Sequence, residues 1–323
     1  MVPILKKFFL RPYSFAIVFS VLLMGSFTYV LLDTFVIPKS YAKVVTDNSS
    51  TDPQTASDTQ EGVTDDSSKD GDTDTAQNQS DAVVTDTSYE DDNIKINIST
   101  LREYDTSIYI ADVQVSDISY LKTALAENTY GRNIKAATSD IAGSNSAILA
   151  INGDFYGFRN YGYVLRNGEL YRDSAGDAED LVIDDTGNFS IIDESETSVD
   201  SLDLSSIWQI LSFGPALIED GTVAVDENSE VSRSMTSNPR TAIGMISPLH
   251  YVFVVSDGRT DESSGLSLIQ LAQVLKDLGC TTAYNLDGGG SSTMYFNGEV
   301  VNIPTDGRTY GEREVSDIVY IGY

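Results

Sequence analysis

Residues 44–92 set the first limit on what this chain can become. They hold 14 acidic residues against one basic residue, Lys69, in a background of Ser, Thr, Gln, Asn, Gly and Ala. A segment of this kind cannot bury enough apolar area to offset the entropy lost on ordering it. Only 43 residues precede it, so a sizeable core must come from 93–323. With its flanks, the stretch 33–92 predicts an acidic disordered linker. As a flexible chain the 49 residues of the tract would span roughly 40 Å, which predicts a spacer holding the rest of the protein away from its attachment point.

That attachment point is a membrane. Residues 13–32 (YSFAIVFSVLLMGSFTYVLL) contain no charged side chain. Twenty helical residues at about 1.5 Å each match the ~30 Å of a hydrocarbon core. Lys6, Lys7 and Arg11 precede the run. Positive charge stays on the cytoplasmic side, so 1–12 reads as a cytoplasmic basic tail, 13–32 as a single-pass anchor and 93–323 as an extracellular domain. The competing reading is a cleaved signal peptide with Ser40-Tyr41-Ala42 as its small-residue site. The apolar run is longer than the usual signal core of about 7–15 residues.

Charge and composition then narrow the chemistry. Twenty Lys and Arg face 49 Asp and Glu, a formal net charge of -29. An acidic surface argues against nucleic acid as a partner, because phosphate backbones are held by basic patches. The chain has one Cys, Cys280, and one His, His250. A disulfide framework, a cysteine-cluster zinc site and multi-histidine metal sites are thereby excluded. Carboxylates, guanidiniums, hydroxyls and backbone amides remain. Cys280 is expected to be a small buried hydrophobe, and His250 and Trp208 to be structural.

Short β-type runs dominate 93–323. Residues 94–98 alternate with period two, and 108–115 and 147–151 are apolar or β-branched. Asn167-Gly168, Asp220-Gly221 and Asn297-Gly298 mark tight hairpins, as does 184–187. The runs 242–246 and 251–255 flank a turn, and 315–321 closes the chain as a strand. Helices are predicted at 267–278, with a Ser267-x-x-Gln270 capping box and Gly279 as a stop, at 118–128 and near 204–211. The sum is α+β: a large mixed or antiparallel sheet flanked by a few helices, behind a transmembrane helix and a linker.

Four polar clusters interrupt this pattern at strand ends, where loops present chemistry. Asn152-Gly153-Asp154-Phe155-Tyr156 places a carboxylate beside rings that suit a sugar. Pro239-Arg240-Thr241 sets a guanidinium fork against an apolar strand, where a phosphate or carboxylate fits. Asp257-Gly258-Arg259 ends a strand with an acid and a base that can simply pair. The sharpest is Asn285-Leu286-Asp287-Gly288-Gly289-Gly290-Ser291-Ser292-Thr293-Met294. Three glycines after an Asp are costly to order, and are tolerated where backbone meets a ligand closely. Their amides can form an anion nest. No Gly-Lys-Ser/Thr follows, so this is not a P-loop. Glu312-Arg313 opens the last strand with one more acid and one more anion contact.

Taken in order, Asn152 to Tyr156, Phe213-Gly214-Pro215-Ala216, Asn238-Pro239-Arg240-Thr241-Ala242, Asp257-Gly258-Arg259, 285–294 and Glu312-Arg313 resemble the phosphodiester glycosidase (uncovering-enzyme-like) family. The resemblance covers about 147–323. It is closest in kind to bacterial, membrane-anchored members, since the cysteine-rich additions of the animal enzyme are missing. Such members are sometimes labelled as exopolysaccharide proteins.

The resemblance implies hydrolysis of a sugar-1-phosphodiester, with release of the sugar and a phosphomonoester left on a wall or exopolysaccharide polymer. Asp287 is then the first choice for the carboxylate at the anomeric carbon, Asp154 the second, and Asp257 and Glu312 reserves. Arg240, Arg259 and Arg313, with the Gly289, Gly290 and Ser291 amides, would stabilise the phosphate charge that grows as the bond breaks. Asn152, Tyr156, Thr241 and Ser292 complete the expected substrate contacts. No cofactor is required. Two other readings stay open. One is a polysaccharide-binding or assembly protein without turnover. The other is a phosphoesterase that uses Asp154, Asp257 and Asp287 as oxygen ligands for Ca²⁺ or Mg²⁺.

Overall fold

The structure, a computed structural model, describes residues 13–43, 82–226, 229, 237–307 and 309–323. The basic tail and most of the acidic tract lie outside the described residues. The alternation of 94–98 and 108–115 does become strand. Nine strands form one antiparallel sheet in the order Thr222–Val223, Ala216–Glu219, Thr282–Asn285, Arg240–Ser247, His250–Ser256, Thr106–Val115, Ile94–Glu103, Ser88–Glu90 and Val83–Val84. A five-stranded sheet runs Glu299–Val300, Met294–Phe296, Leu149–Asn152, Asp317–Ile321, Leu121–Leu125. A second runs Glu169–Arg172, Val164–Arg166, Ile207–Ser212, Glu179–Asp184, Phe189–Asp193.

Period-two alternation explains how these sheets stack. Ile243, Phe253 and Val255 of the large sheet meet Ile151 and Val319 of one five-stranded sheet and Leu181 of the other in a shared core. Ala242, Val252 and Val254, on the opposite face, pack on a helix. That helix (α3, Leu268–Asp277) was legible in the sequence: Ser267 and Gln270 make the reciprocal capping box, and Leu271, Ala272 and Leu275 are buried. A shorter helix (α2, Thr138–Ser144) covers the five-stranded sheet through Ile141 and Ala142. Near the N-terminus an apolar helix (α1, Ser14–Phe35) is long enough to cross a membrane, and no residue of its apolar span is buried in the protein.

Two predicted helices are strands. Residues 118–128 form a 3-10 turn at Ile118–Tyr120, started by Asp117, and then the strand Leu121–Leu125, which pairs with Asp317–Ile321. Residues 204–211 likewise give a turn at Leu204–Ser206 and the strand Ile207–Ser212. In both, a side-chain pattern compatible with either period is settled by a distant strand partner. Helix α2 was not anticipated, because its seven residues (TSDIAGS) show no stripe. Parts of the stretch predicted as linker are strand. Lys39–Ser40 pairs with Gly131–Arg132, while Val83–Val84 and Ser88–Glu90 extend the large sheet. Strand pairing there uses backbone, which polar side chains do not forbid.

Candidate active site

Antiparallel register gathers the strand-end clusters. In the large sheet Arg240 pairs with Ser256, and Ala242 with Asn285, so the start of one strand and the ends of its two neighbours share an edge. In the five-stranded sheet Asn152 pairs with Ile318, and Ile151 with Met294. Residues 286–293 run from the Thr282–Asn285 strand of the first sheet to the Met294–Phe296 strand of the second. Asp287 and the glycines therefore sit where the two sheets meet.

The backbone around Asp287 is fixed on both sides. Its amide donates to the Gly153 carbonyl at 3.3 Å, and its carbonyl accepts from Asn152 Nδ2 at 2.6 Å. Thr241 Oγ1 donates to Asn152 Oδ1 at 2.8 Å and so ties the two sheets together. The glycines answer to close neighbours. A Cβ on Gly289 would stand 2.9 Å from Arg259 Nη2, and one on Gly290 2.6 Å from Asp306 Oδ1 and 2.7 Å from Arg313 Nη2.

Two cavities open on either side of Asp287. One, of about 350 Å³, is lined by Asp154, Phe155, Phe158, Ser291, Asp306, Arg313 and Ser316 among others. The Phe155 and Phe158 rings stack 4.5 Å apart. Ser291 is buried, with its hydroxyl against the Asp287 carboxyl. The other, of about 540 Å³, is lined by Arg159, Arg240, Arg259 and Arg313 with Phe213, Pro215 and Gly289. Four guanidiniums converge there in a chain of net charge -29. Burial, with the neighbouring Arg313 charge, lowers the pKa of Arg259 from its ordinary value. Such crowding of like charge calls for an anion.

Beneath the first cavity lies a buried ion network. Arg166, 2 % exposed, donates through Nη2 to Asp154 Oδ2 at 2.7 Å and through Nε to Asp317 Oδ2 at 3.1 Å. Its Nη1 donates to the Ile210 carbonyl. Asp154 Oδ1 accepts from the Tyr156 amide at 2.9 Å, and its Oδ2 also from the Ser212 amide at 2.9 Å. Both Asp154 oxygens are thus committed to the protein. Burial and the nearby Asp154 charge push Asp317 up to about 8. Burial raises Asp287 as well, against the pull of the Ser291 hydroxyl, Arg313 and Arg159. Asp287 is the carboxylate whose side chain meets both cavities.

The remaining expected residues divide. Arg240 reaches the second cavity from a buried stem, its Nε donating to the Leu266 carbonyl at 2.9 Å. Arg259 stands at φ 61°, with Nη2 on Asn238 Oδ1 at 3.0 Å. Arg313 pairs with Asp306 at 2.6 Å. Tyr156 does not face a ligand. It is 1 % exposed, stacked on Tyr130 at 5.3 Å between ring centroids, and Phe155 and Phe158 take the cavity wall instead. Asn152, Thr241 and Ser292 are buried positioning groups. Asp257 turns away from both cavities and pins the next loop, accepting from the Ile303 amide at 2.8 Å and from Tyr109 Oη at 3.1 Å. Glu312 caps α2 by accepting from the Ser139 amide at 3.0 Å. The nest is partly spent, since the Gly289 amide donates to the Pro239 carbonyl and the Ser291 amide to that of Gly288. With Asp257 turned away, the three aspartates of the metal reading do not converge. Among the described residues no group of three or more His, Cys, Asp or Glu could hold a metal ion.

Sequence reasoning missed Arg159, Arg166, Asp317 and Phe158 as site groups, and gave Phe213 only as part of a family motif. Arg166 counted only as a hairpin flank. A buried arginine needs partners, but its partners Asp154 and Asp317 lie 12 and 151 residues away. The structural expectations for the singletons hold. Cys280 is buried, His250 Nε2 lies 3.2 Å from Asp112, and Trp208 Nε1 donates to the Leu121 carbonyl.

Comparison with known proteins places this arrangement. The family model described as phosphodiester glycosidase matches residues 145–322. An uncharacterized SPbeta prophage-derived protein of Bacillus subtilis (strain 168), YomE, is 30% identical over 202 residues, covering 60% of this chain and 31% of its own length. The N-acetylglucosamine-1-phosphodiester alpha-N-acetylglucosaminidase of Mus musculus is 27% identical over 188 residues, 53% of this chain and 36% of that protein. The chain thus spans about a third of the length of these relatives. Among solved structures, the catalytic domain of the zebrafish N-acetylglucosamine-1-phosphodiester alpha-N-acetylglucosaminidase, auto-inhibited by its pro-peptide, superposes with a TM-score of 0.58 at 22% identity, over 71% of this chain and 83% of that one. A hypothetical protein from Synechocystis gives 0.54 at 15% identity, over 71% and 62%. At these identities the two structures support the fold alone.

Proposed function

The chain belongs to the phosphodiester glycosidase family, and from that premise we propose that it is a membrane-anchored hydrolase whose extracellular domain cleaves a sugar-1-phosphodiester. The sugar leaves, and a phosphomonoester remains on a wall or exopolysaccharide polymer. One observation carries the reading: Asp287 lines both a cavity with the Phe155 and Phe158 rings and Ser291 and a cavity with four arginines, Phe155 and Arg313 being shared between them.

The chemistry follows from that division. The sugar occupies the side of Phe155, Phe158 and Ser291, and the phosphate the side of Arg240, Arg259, Arg313 and Arg159. The bond between the anomeric carbon and the phosphate oxygen breaks, its electron pair going to the phosphate. A second negative charge then develops among guanidiniums already in place, which need not reorganise to receive it. Oxygen from water ends on the anomeric carbon. Asp287 acts there, either taking the proton of the attacking water or attacking first and being released by water. Inverted or retained configuration in the sugar, read by NMR, separates the two routes. Asp154, tied to Arg166 and two amides, is a fixed part of the wall beneath the sugar.

The test is direct. Asp287→Asn and Arg240→Ala should each reduce sugar release from a sugar-1-phosphodiester by about 10²–10⁴-fold, the span of a lost base or oxyanion contact. Circular dichroism should remain that of the parent. Full activity in both variants rejects the assignment.

A further inference from the structure

The residues that follow α1 are stitched to the domain beside the sugar cavity. Asn133 Nδ2 donates to the Thr34 carbonyl at 3.2 Å and the Ile37 carbonyl at 3.1 Å, both at the C-terminal end of the helix. Lys39–Ser40 then pairs with Gly131–Arg132, and the Tyr41 amide donates to the Tyr130 carbonyl at 2.9 Å. The fit is close, because a Cβ on Gly131 would stand 2.0 Å from the Lys39 carbonyl oxygen. Lys43 pairs with Glu169 at 2.8 Å, and Asp33 with Lys39 at 2.7 Å.

The same domain residues back the cavity wall. The Asn133 amide donates to the Gly157 carbonyl at 3.4 Å, and Gly157 lies against Ser316 Oγ. Phe155, Phe158, Ser316 and Lys135 all line the cavity. Lys135 is two residues from Asn133, a reach of at most about 7 Å. Asp33 is the first charge after the apolar run and marks its exit into the headgroup layer. Lys43, just before the tract, pairs with Glu169, and the end of the tract, Val83–Val84 and Ser88–Glu90, joins the edge of the large sheet. The tract therefore does not separate helix from domain.

We propose that residues 33–43 are a built part of the catalytic domain, holding its sugar cavity against the membrane surface, and that the substrate is a sugar-1-phosphodiester whose aglycone is a membrane lipid. This rests on the anchored glycosidase reading and puts a lipid in place of its polymer aglycone. A free tether of the tract's length would sweep roughly 40 Å. The stitched segment instead holds the domain at the end of α1. A lipid-borne linkage is brought to such a cavity by diffusion in two dimensions, whereas distant units of a polymer stay out of reach.

The test uses the full chain in vesicles, with Cys280→Ser and a fluorophore on Thr129→Cys, next to Tyr130, whose carbonyl accepts from the Tyr41 amide. Energy transfer to headgroup-labelled lipid should be strong. It should fall at least twofold in Asn133→Ala, and in a second variant with about twelve Gly and Ser residues inserted between Val36 and Ile37. Paired substrates carry the same sugar-1-phosphate, one on a long-chain lipid in the vesicle and one on a short soluble chain. The ratio of lipid-borne to soluble turnover should drop about tenfold in the insertion variant while soluble turnover stays at the parent rate, which also reports intact folding. Equal transfer in parent and insertion variant, or an unchanged ratio, overturns the proposal. Failure of the parent to float with vesicles removes the anchor and the proposal with it, leaving the family activity standing. Absence of turnover on both substrates with transfer intact rejects the hydrolase reading and the lipid substrate, and leaves only the docked geometry.

Discussion

At the scale of single residues, the division of labour among carboxyls is the main result. The sequence ranked Asp287 first, Asp154 second, and Asp257 and Glu312 as reserves, each an acid near a strand end. Their partners separate them: Arg166 and two amides for Asp154, the Ile303 amide for Asp257, the start of α2 for Glu312. Asp287 alone among the four meets both cavities. The aromatics sort in the same way, and their difference is measurable. Tyr156→Phe should leave kcat/KM within about twofold, since its buried hydroxyl has no partner to lose. Phe158→Ala should lower kcat/KM roughly tenfold, about 1.4 kcal/mol, by removing one wall of the sugar cavity. Steady-state kinetics on a soluble sugar-1-phosphodiester decide between them.

Elements were legible where the signal was local. The hairpin at Asn167-Gly168 needs positive φ at both positions, 51° and 79°, and the residues announce it. Helix α3 carries its own cap. Ser267→Ala should cost about 1 kcal/mol, a fall of roughly 2–4 °C in Tm for a domain of this size, with activity unchanged. Differential scanning calorimetry reads this. Elements were illegible where a distant partner decides. Leu121–Leu125 is a strand because Asp317–Ile321 lies beside it, some 190 residues later, and no window around Lys122 contains that information. The site was half legible for the same reason. Its loops advertise themselves by Gly, Asp and Arg, but the Arg166 network and the docking of Lys39–Ser40 exist only once the sheets have met.

For the whole molecule, the buried acids set a dependence on pH. Asp180 is fully buried beside Glu194, and burial pushes its carboxyl up to about 9. The unfolded chain loses that proton near its ordinary value of about 4, so the folded state holds the extra proton between. The stabilisation is complete below pH 4 and is lost as pH climbs toward 9. Asp317 works in the same direction up to about 8. Tm should therefore decline from pH 5 to pH 8, and Asp180→Asn, a neutral isostere, should flatten part of the slope. A steeper decline in that variant would contradict the assignment.

Residues 286–293 belong to two sheets at once, and that fixes their number. Removing one residue there would force a strand to slip by one position, which turns every core side chain of that strand outward. Hairpin tips such as Asn297-Gly298 have no such duty and can lengthen freely. Natural variants of this chain should accordingly differ in length at the tips and never within the bridge, so the bridge works as a ruler that spaces one sheet from the other.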